Sequence, residues 1–365
     1  MHLKILMISL DFPPTVGGIS AHVYELSKAL LKLGNSVSIA TKRVDKKQKR
    51  YEEIEGLKIY RFDLKYIGFI YGMQINSFAK ELNKKENFDI IHIHGMRPLE
   101  FFDIKNTPLV YTNHTSGYLK RIKKGGYRVA LMKKLFQKPD LFLAPSKELL
   151  ETPFKIHAKK RYIPNGVEID KYKKDIEKRA ILRKKLNIKD NEIVGIVTRR
   201  MVWKNGVLYL AKATKYIKNK KAKLLFIGDG EDFAKIKEEL SKNFEDRYIL
   251  LGSKKHDEII PYYSAADFSI LPSIMEATSI SGLEAMAASL PLVGTITGGI
   301  PDLIEDGKNG FLCKKEDEKD LADKIDILLG KDLKVMGKNS YEKVKNEFSW
   351  DIIAKKTLEA YKEIL

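Results

Sequence analysis

Two glutamates eight positions apart, Glu276 and Glu284, occupy the part of this sequence best suited to chemistry. An apolar run ending at Leu271 and the pair Pro272-Ser273 read as a strand and its turn, so Glu276 falls in a loop. Glu284 falls in a helix expected over 280–288. Beyond it, Pro291-Leu292-Val293-Gly294 reads as a short strand and Gly298-Gly299-Ile300-Pro301 as a second tight turn into a helix. A carboxylate accepts hydrogen bonds from several hydroxyls at once. Helix amino termini offer N–H groups and a positive dipole end to an anion. The combination suits a sugar or ribose attached to a diphosphate. Ser281-Gly282-Leu283-Glu284 also has the spacing of a capping box, which would occupy Glu284 with backbone alone.

Other residues carry weaker signals. Gly17-Gly18 stands between a strand-like run and a helical stripe, where backbone N–H groups can meet phosphate. His92 and His94 alternate onto one strand face. With no third ligand evident beside that pair, no metal site is expected. Gly228-Asp229-Gly230 begins like a dinucleotide fingerprint, but Phe233 replaces its third glycine. Gly307-Lys308 lacks the glycine five residues earlier that a phosphate-binding P-loop requires. The single cysteine, Cys313, excludes a disulfide framework and reads as a small buried apolar residue.

The elements that must position these residues alternate along the chain. Continuous apolar runs at 5–8, 90–93, 109–112 and 141–144, then 193–197, 224–227, 248–251, 268–271 and 292–295, suit parallel strands covered on both faces. Ile19, Val23, Leu26, Leu30 and Leu33 form one helical stripe, closed by Gly34-Asn35. A polar, Lys-rich connection over 170–190 separates two such series. An α/β chain of two doubly wound parallel-sheet domains is expected, with ligands at the carboxyl ends of the strands.

With the segment from 267 to 304 in view, the chain resembles glycosyltransferase family 4, retaining enzymes of the GT-B fold with two facing Rossmann-like domains. The resemblance rests on Glu276, Glu284, Ala285-Met286-Ala287, Pro291 and Gly298-Gly299 in that order. Phe12-Pro13-Pro14 with Gly17-Gly18 is similar to that family's first phosphate loop. Asp89 to His94 and Tyr111-Thr112-Asn113-His114 are similar to two of its strands. Ala144-Pro145-Ser146 and Ile163 to Val167 are similar to segments closing its first domain. Arg200 to Gly206 is similar to its basic donor loop, and Phe348-Ser349-Trp350 to the start of its last helix. Two departures stand out: Ala277-Thr278-Ser279 replaces the usual glycine and aromatic, and Arg199 replaces a common small residue.

The resemblance implies a first domain of 1–168 completed by a helix over 350–365, and a donor domain of 169–349. It implies that Arg200 and Lys204 neutralise a leaving diphosphate, that Glu284 holds ribose and that Glu276 holds a hydroxyl of the donor sugar. His114 would lie near the reacting carbon. Gly17, Gly18, Thr278, Ser279 and Ile280 would line the donor site, and backbone at Gly252-Ser253 would read the base. The donor would be a UDP- or GDP-sugar, and neither metal nor other cofactor is expected. The absence of any Asp-x-Asp agrees, since that motif chelates metal in the other main glycosyltransferase fold.

The formal net charge is +19, and residues 1–170 hold 30 Lys and Arg against 17 Asp and Glu. Between Asp103 and Asp140 there is no acidic residue, while Lys105, Lys120, Arg121, Lys123, Lys124, Arg128, Lys133, Lys134 and Lys138 interleave with Tyr118, Tyr127, Leu131, Leu135 and Phe136. Such a segment suits an anionic bilayer or a lipid-linked acceptor. Phe69-Ile70-Tyr71, between Gly68 and Gly72, is a second apolar contact candidate. No apolar stretch reaches the ~20 residues of a membrane span. A cytoplasmic enzyme, peripheral at the inner face of the membrane, is expected. A nucleotide-sugar epimerase of the same fold is one alternative; a basic nucleic-acid-binding protein is another, but no helix-turn-helix or aromatic binding sheet supports it.

Overall fold

The computed structural model describes residues 2–15, 17–64, 70–114, 122 and 124–365. The chain forms two compact units, 1–166 with 350–365, and 167–349.

In the first unit, eight strands among the described residues make one sheet: β1 (Lys4–Ser9), β2 (Ser36–Lys42), β3 (Tyr51–Ile54), β4 (Leu57–Phe62), β5 (Ile90–His94), β6 (Leu109–Thr112), β7 (Leu141–Ala144) and β8 (Lys159–Tyr162). Their order is β3-β4-β2-β1-β5-β6-β7-β8, parallel except for the β3–β4 hairpin. Ile5, Leu6, Met7 and Ile8 are all fully buried, as a central parallel strand demands. The helix Gly18–Lys32 lays Val23, Leu26 and Leu30 on this sheet and ends before Gly34, whose φ of +84° is readily adopted by glycine. The helix Trp350–Lys362 adds Ile353, Ala354, Ala360 and Tyr361 to the same core.

The second unit holds β9 (Ile193–Thr198), β10 (Ala222–Ile227), β11 (Tyr248–Leu250), β12 (Phe268–Leu271), β13 (Leu292–Thr295) and β14 (Gly310–Cys313). They run parallel in the order β11-β10-β9-β12-β13-β14. Alternate residues feed two cores: Leu224 and Phe226 of β10 pack on one face, Leu225 and Ile227 on the other. Cys313 is buried, and burial pushes its thiol up to about 12, as for a small apolar core residue.

Both sheets contain a point where the strand order reverses, between β1 and β5 in the first and between β9 and β12 in the second. Neighbouring loops leave in opposite directions there and open a crevice.

The basic segment is only partly described. Tyr118, Lys120, Arg121 and Lys123, like Gly68 and Phe69, lie outside the described residues. Within the helix Tyr127–Phe136, Met132, Leu135 and Phe136 face the core while Lys133 and Lys134 are exposed. Tyr127 is 71% exposed. Lys138 departs from the expected basic face: its Nζ donates to the carbonyls of Leu99, Glu100 and Phe102 at 3.1, 2.8 and 3.1 Å. It satisfies carbonyls at the end of a short helix rather than presenting a free charge. Ile70 opens the helix Ile70–Glu86, where Gly72 packs against the ring of Phe101. No helix among the described residues is long and apolar enough to cross a membrane.

Candidate active site

The loops leaving β9 and β12 meet at the second sheet's reversal point. Arg199, Arg200 and Lys204 follow β9, and Glu276 follows β12. Backbone joins the loops, with the N–H groups of Ile274 and Met275 donating to the Lys204 carbonyl at 2.9 and 3.0 Å. Asn205 Nδ2 donates to the Arg200 carbonyl at 2.7 Å. Gly228 and Gly230 press on the β9 loop from the other side, and a Cβ at Gly228 would lie 1.9 Å from the Arg199 carbonyl oxygen. Arg200 and Lys204 keep their side chains exposed.

The double-glycine turn has a physical reason. Gly298, at φ +53°, sits so close that a Cβ would fall 1.7 Å from the carbonyl oxygen of Glu276; at Gly299 it would fall 2.6 Å from that of Ala277. These glycines brace the backbone that carries the first glutamate.

Glu276 is engaged within its own unit. Its carboxylate pairs with Arg199 Nη1, and Arg199 Nη2 donates to Ser279 Oγ at 2.7 Å. Both charged side chains are largely buried, 11% exposed for Arg199 and 13% for Glu276. Arg199 Nε is buried with no hydrogen-bond partner among the described residues.

Glu284 is held differently from the capping-box expectation. The cap of the helix Ile280–Ala287 is Ser279, whose Oγ accepts from Gly282 N at 3.2 Å. Glu284 therefore lies a full turn inside the helix, and its carboxylate accepts from Tyr172 at 2.9 Å and Tyr263 at 2.8 Å. Thr198 Oγ1 lies 2.7 Å from the Tyr263 hydroxyl, and His256 Nε2 lies 2.8 Å from that of Tyr172. Burial raises the Glu284 pKa, opposed by His256 and the two tyrosine hydroxyls. Thr278 is buried and Ile280 exposed. Gly252, at φ +66°, and exposed Ser253 follow β11; the Gly252 carbonyl accepts from Gly228 N at 2.8 Å.

In the first unit, the β1–β5 reversal point carries the remaining residues. Gly17 and Gly18 are exposed at the start of their helix, with open space where a Cβ would stand. His114 lies two residues past β6, and its Nε2 is 2.9 Å from Nδ1 of His94. The expectation that no third ligand accompanies His92 and His94 is corrected here. His22, from the helix Gly18–Lys32, joins His94 and His114 in a cluster whose nearest ring nitrogens all lie within 4.8 Å of one another. His92 serves the core instead, contacting the Tyr361 hydroxyl at 2.7 Å and Thr112 Oγ1 at 2.6 Å. Burial holds all four imidazoles well below their usual pKa, that of His22 at about 4.

His22, Tyr172 and Tyr263 were not among the expected site residues. His22 directly precedes Val23 of the apolar stripe, and that buried position was the available signal. Tyr172 opens the Lys-rich connection, which composition alone reads as a linker.

Two parallel α/β sheets, each with loops gathered at a strand-order reversal, define the GT-B fold. Sucrose-phosphate synthase from Thermosynechococcus elongatus shares it, with TM-score 0.79, 23% identity and 99% of each chain covered. The family profile described as Glycosyltransferase Family 4 matches residues 16–171, and that of Glycosyl transferases group 1 matches 178–344. The chain belongs to this glycosyltransferase family. It is similar to alpha-monoglucosyldiacylglycerol synthase of Acholeplasma laidlawii, 27% identical over 87% of this chain and 86% of the relative. It is also 27% identical to UDP-Gal:alpha-D-GlcNAc-diphosphoundecaprenol alpha-1,3-galactosyltransferase of Escherichia coli, over 74% of each.

Proposed function

We propose that this glycosyltransferase moves a sugar, with retention of configuration, from a UDP- or GDP-sugar to a lipid-linked or polysaccharide acceptor in cell-surface glycan or glycolipid synthesis. It would work in the cytoplasm and touch the inner face of the membrane. The observation that carries this is the joining of the Arg200–Lys204 loop to the Glu276 loop at the β9–β12 reversal point, with Glu284 set in the adjoining helix. Names of two relatives, one a diacylglycerol glucosylating enzyme and one acting on a diphosphoundecaprenol-linked sugar, support a lipid acceptor.

Arg200 and Lys204, exposed on a braced loop, meet the charge that grows on the diphosphate as the glycosidic bond breaks. Glu284 accepts from ribose hydroxyls through the lone pairs its tyrosines leave free. Glu276, fixed by Arg199, accepts from a sugar hydroxyl, and Thr278, Ser279 and Ile280 bound that pocket. Backbone at Gly252-Ser253 faces the base. The Gly17-Gly18 helix start supplies N–H groups to phosphate, and His114 stands on the acceptor side. The acceptor hydroxyl attacks the face from which the diphosphate departs, and a phosphate oxygen takes its proton. Side-chain cations perform the charge neutralisation, so no metal is required for donor binding.

The test is calorimetric titration of UDP, GDP and a DNA duplex into the full chain and its Arg200→Ala/Lys204→Ala variant. Micromolar binding of one nucleotide, unchanged by EDTA and lost in the variant, is expected. Duplex binding alone, with a steep salt dependence, would instead favour a nucleic-acid protein.

A further inference from the structure

The three-histidine cluster at the β1–β5 reversal point has no part in donor recognition as described, and its geometry is specific. Three elements supply it: the helix Gly18–Lys32, the end of β5 and the segment just past β6. His22 and His94 are buried within the unit, whereas His114 is partly exposed and gives a route of entry.

We propose that His22, His94 and His114 form a binding site for a divalent transition-metal ion of the Zn2+ class. Neutral imidazole is a favoured ligand for such ions, and three protein nitrogens with one open position make a recurrent coordination set.

The surroundings already orient two of the ligands. His22 Nδ1 lies 2.9 Å from the carbonyl oxygen Oδ1 of Asn165, which can only accept. The proton therefore sits on Nδ1, and Nε2 keeps its lone pair for an ion. His94 Nε2 lies 3.4 Å from Met7 Sδ, a weak acceptor, which leaves the Nδ1 lone pair pointed at His114. His114 Nε2 occupies that lone pair with a hydrogen bond at 2.9 Å. An ion would replace the proton between these two nitrogens. Zn–N bonds of about 2.0–2.1 Å place tetrahedral ligand nitrogens about 3.4 Å apart. The present spread, up to 4.8 Å, closes to that by ring rotations and small shifts. A partner accepting from the non-ligating nitrogen, as Asn165 does for His22, is the usual support of a metal-bound histidine.

The site does not depend on the donor assignment, but its consequence rests on the proposed role of His114. An ion that takes His114 Nε2 removes the imidazole from the reacting centre, so Zn2+ would suppress transfer while leaving nucleotide affinity unchanged.

The experiment titrates Zn2+ by calorimetry, and Co2+ by visible absorption, into chelator-stripped full-length protein. UDP and GDP titrations run in parallel, and thermal unfolding checks each variant. One Zn2+ per chain and the visible bands of nitrogen-ligated tetrahedral Co2+ are expected. His22→Gln should abolish both, and Asn165→Ala should weaken binding about 10–100-fold. If His22→Gln is poorly folded, the Asn165→Ala shift and the Co2+ spectrum still decide. No stoichiometric binding by the parent protein, octahedral Co2+ bands, or undiminished affinity in both variants would overturn the proposal. Metal binding without nucleotide binding would instead uphold the site and remove the donor assignment.

Discussion

Arg199 and Glu276 form a pair that alters how this chain can use its first glutamate. The two side chains are mostly buried, and Arg199 also reaches the helix cap through Ser279. Hydrogen bonds to charged groups contribute roughly 1.5–3 kcal/mol, so a double-mutant cycle of Arg199→Ala and Glu276→Gln, followed by denaturant unfolding, should give a coupling in that range. A coupling near zero would mean the pair is broken in solution. Glu284 poses a pH question with a definite sign. Its pKa in the folded chain stands above the ordinary 4.5, chiefly through burial. Below 4.5 both folded and unfolded states are protonated, and the raised pKa costs nothing. As pH rises from there through the folded value, the unfolded state ionises first and the folded state loses stability. Glu284→Gln should remove that slope, and stability measured across mildly acidic pH in both proteins checks it. An identical pH profile in the variant would show that Glu284 titrates normally.

At the scale of elements, the glycine turns decide where the carboxylates stand. Ala at position 298 would combine a left-handed φ, costing roughly 1–2 kcal/mol, with a Cβ placed 1.7 Å from backbone that cannot rotate away. Gly298→Ala should therefore displace the Glu276 loop and weaken nucleotide binding in a chain that remains folded. Gly17→Ala, in open space, should leave stability unchanged, which differential denaturation can establish for both. These positions also show what was legible beforehand. Runs such as 224–227 and 292–295 announced strands because both their faces are covered, and the Glu276-to-Gly299 order announced the GT-B chain. β8 escaped notice because Lys159-Lys160-Arg161-Tyr162 is an edge strand of alternating exposure, with no apolar run. The β3–β4 hairpin was equally silent, since β3 is a largely exposed edge. The partners of Glu284 were hidden for another reason. Tyr172 and Tyr263 lie 112 and 21 residues from it in sequence, and only the fold brings their hydroxyls to one carboxylate. His22 was masked by its helix, where it reads as one more position beside an apolar stripe.

For the whole molecule, the chain leaves its first unit after Gly166 and re-enters it at Trp350. The returning segment is part of that unit's core. Ile353, Ala354, Ala360 and Tyr361 are each at most 3% exposed, and the Tyr361 hydroxyl contacts His92 inside the sheet. At the surface, Arg161 grips Glu363 through two hydrogen bonds of 2.9 and 2.6 Å. Trp350 stacks edge-on to His22 at 5.3 Å between ring centroids, so the helix also borders the histidine cluster. Ending the chain at Ser349 would strip this cover from the first unit, exposing the helix Gly18–Lys32 and leaving His92 Nδ1 without its Tyr361 partner. Losing one large buried side chain alone costs about 3–5 kcal/mol, and this truncation removes several. The second unit has its own two cores and contains every residue proposed to bind the nucleotide apart from Gly17 and Gly18. The truncated chain should therefore lose the cooperative unfolding of its first unit and all transfer, while retaining nucleotide binding at reduced affinity. Calorimetric unfolding and UDP or GDP titration of the same sample separate the two effects. Full transfer by the shortened chain would show that the returning helix is dispensable to the first unit; loss of all nucleotide binding would show that the second unit depends on the first.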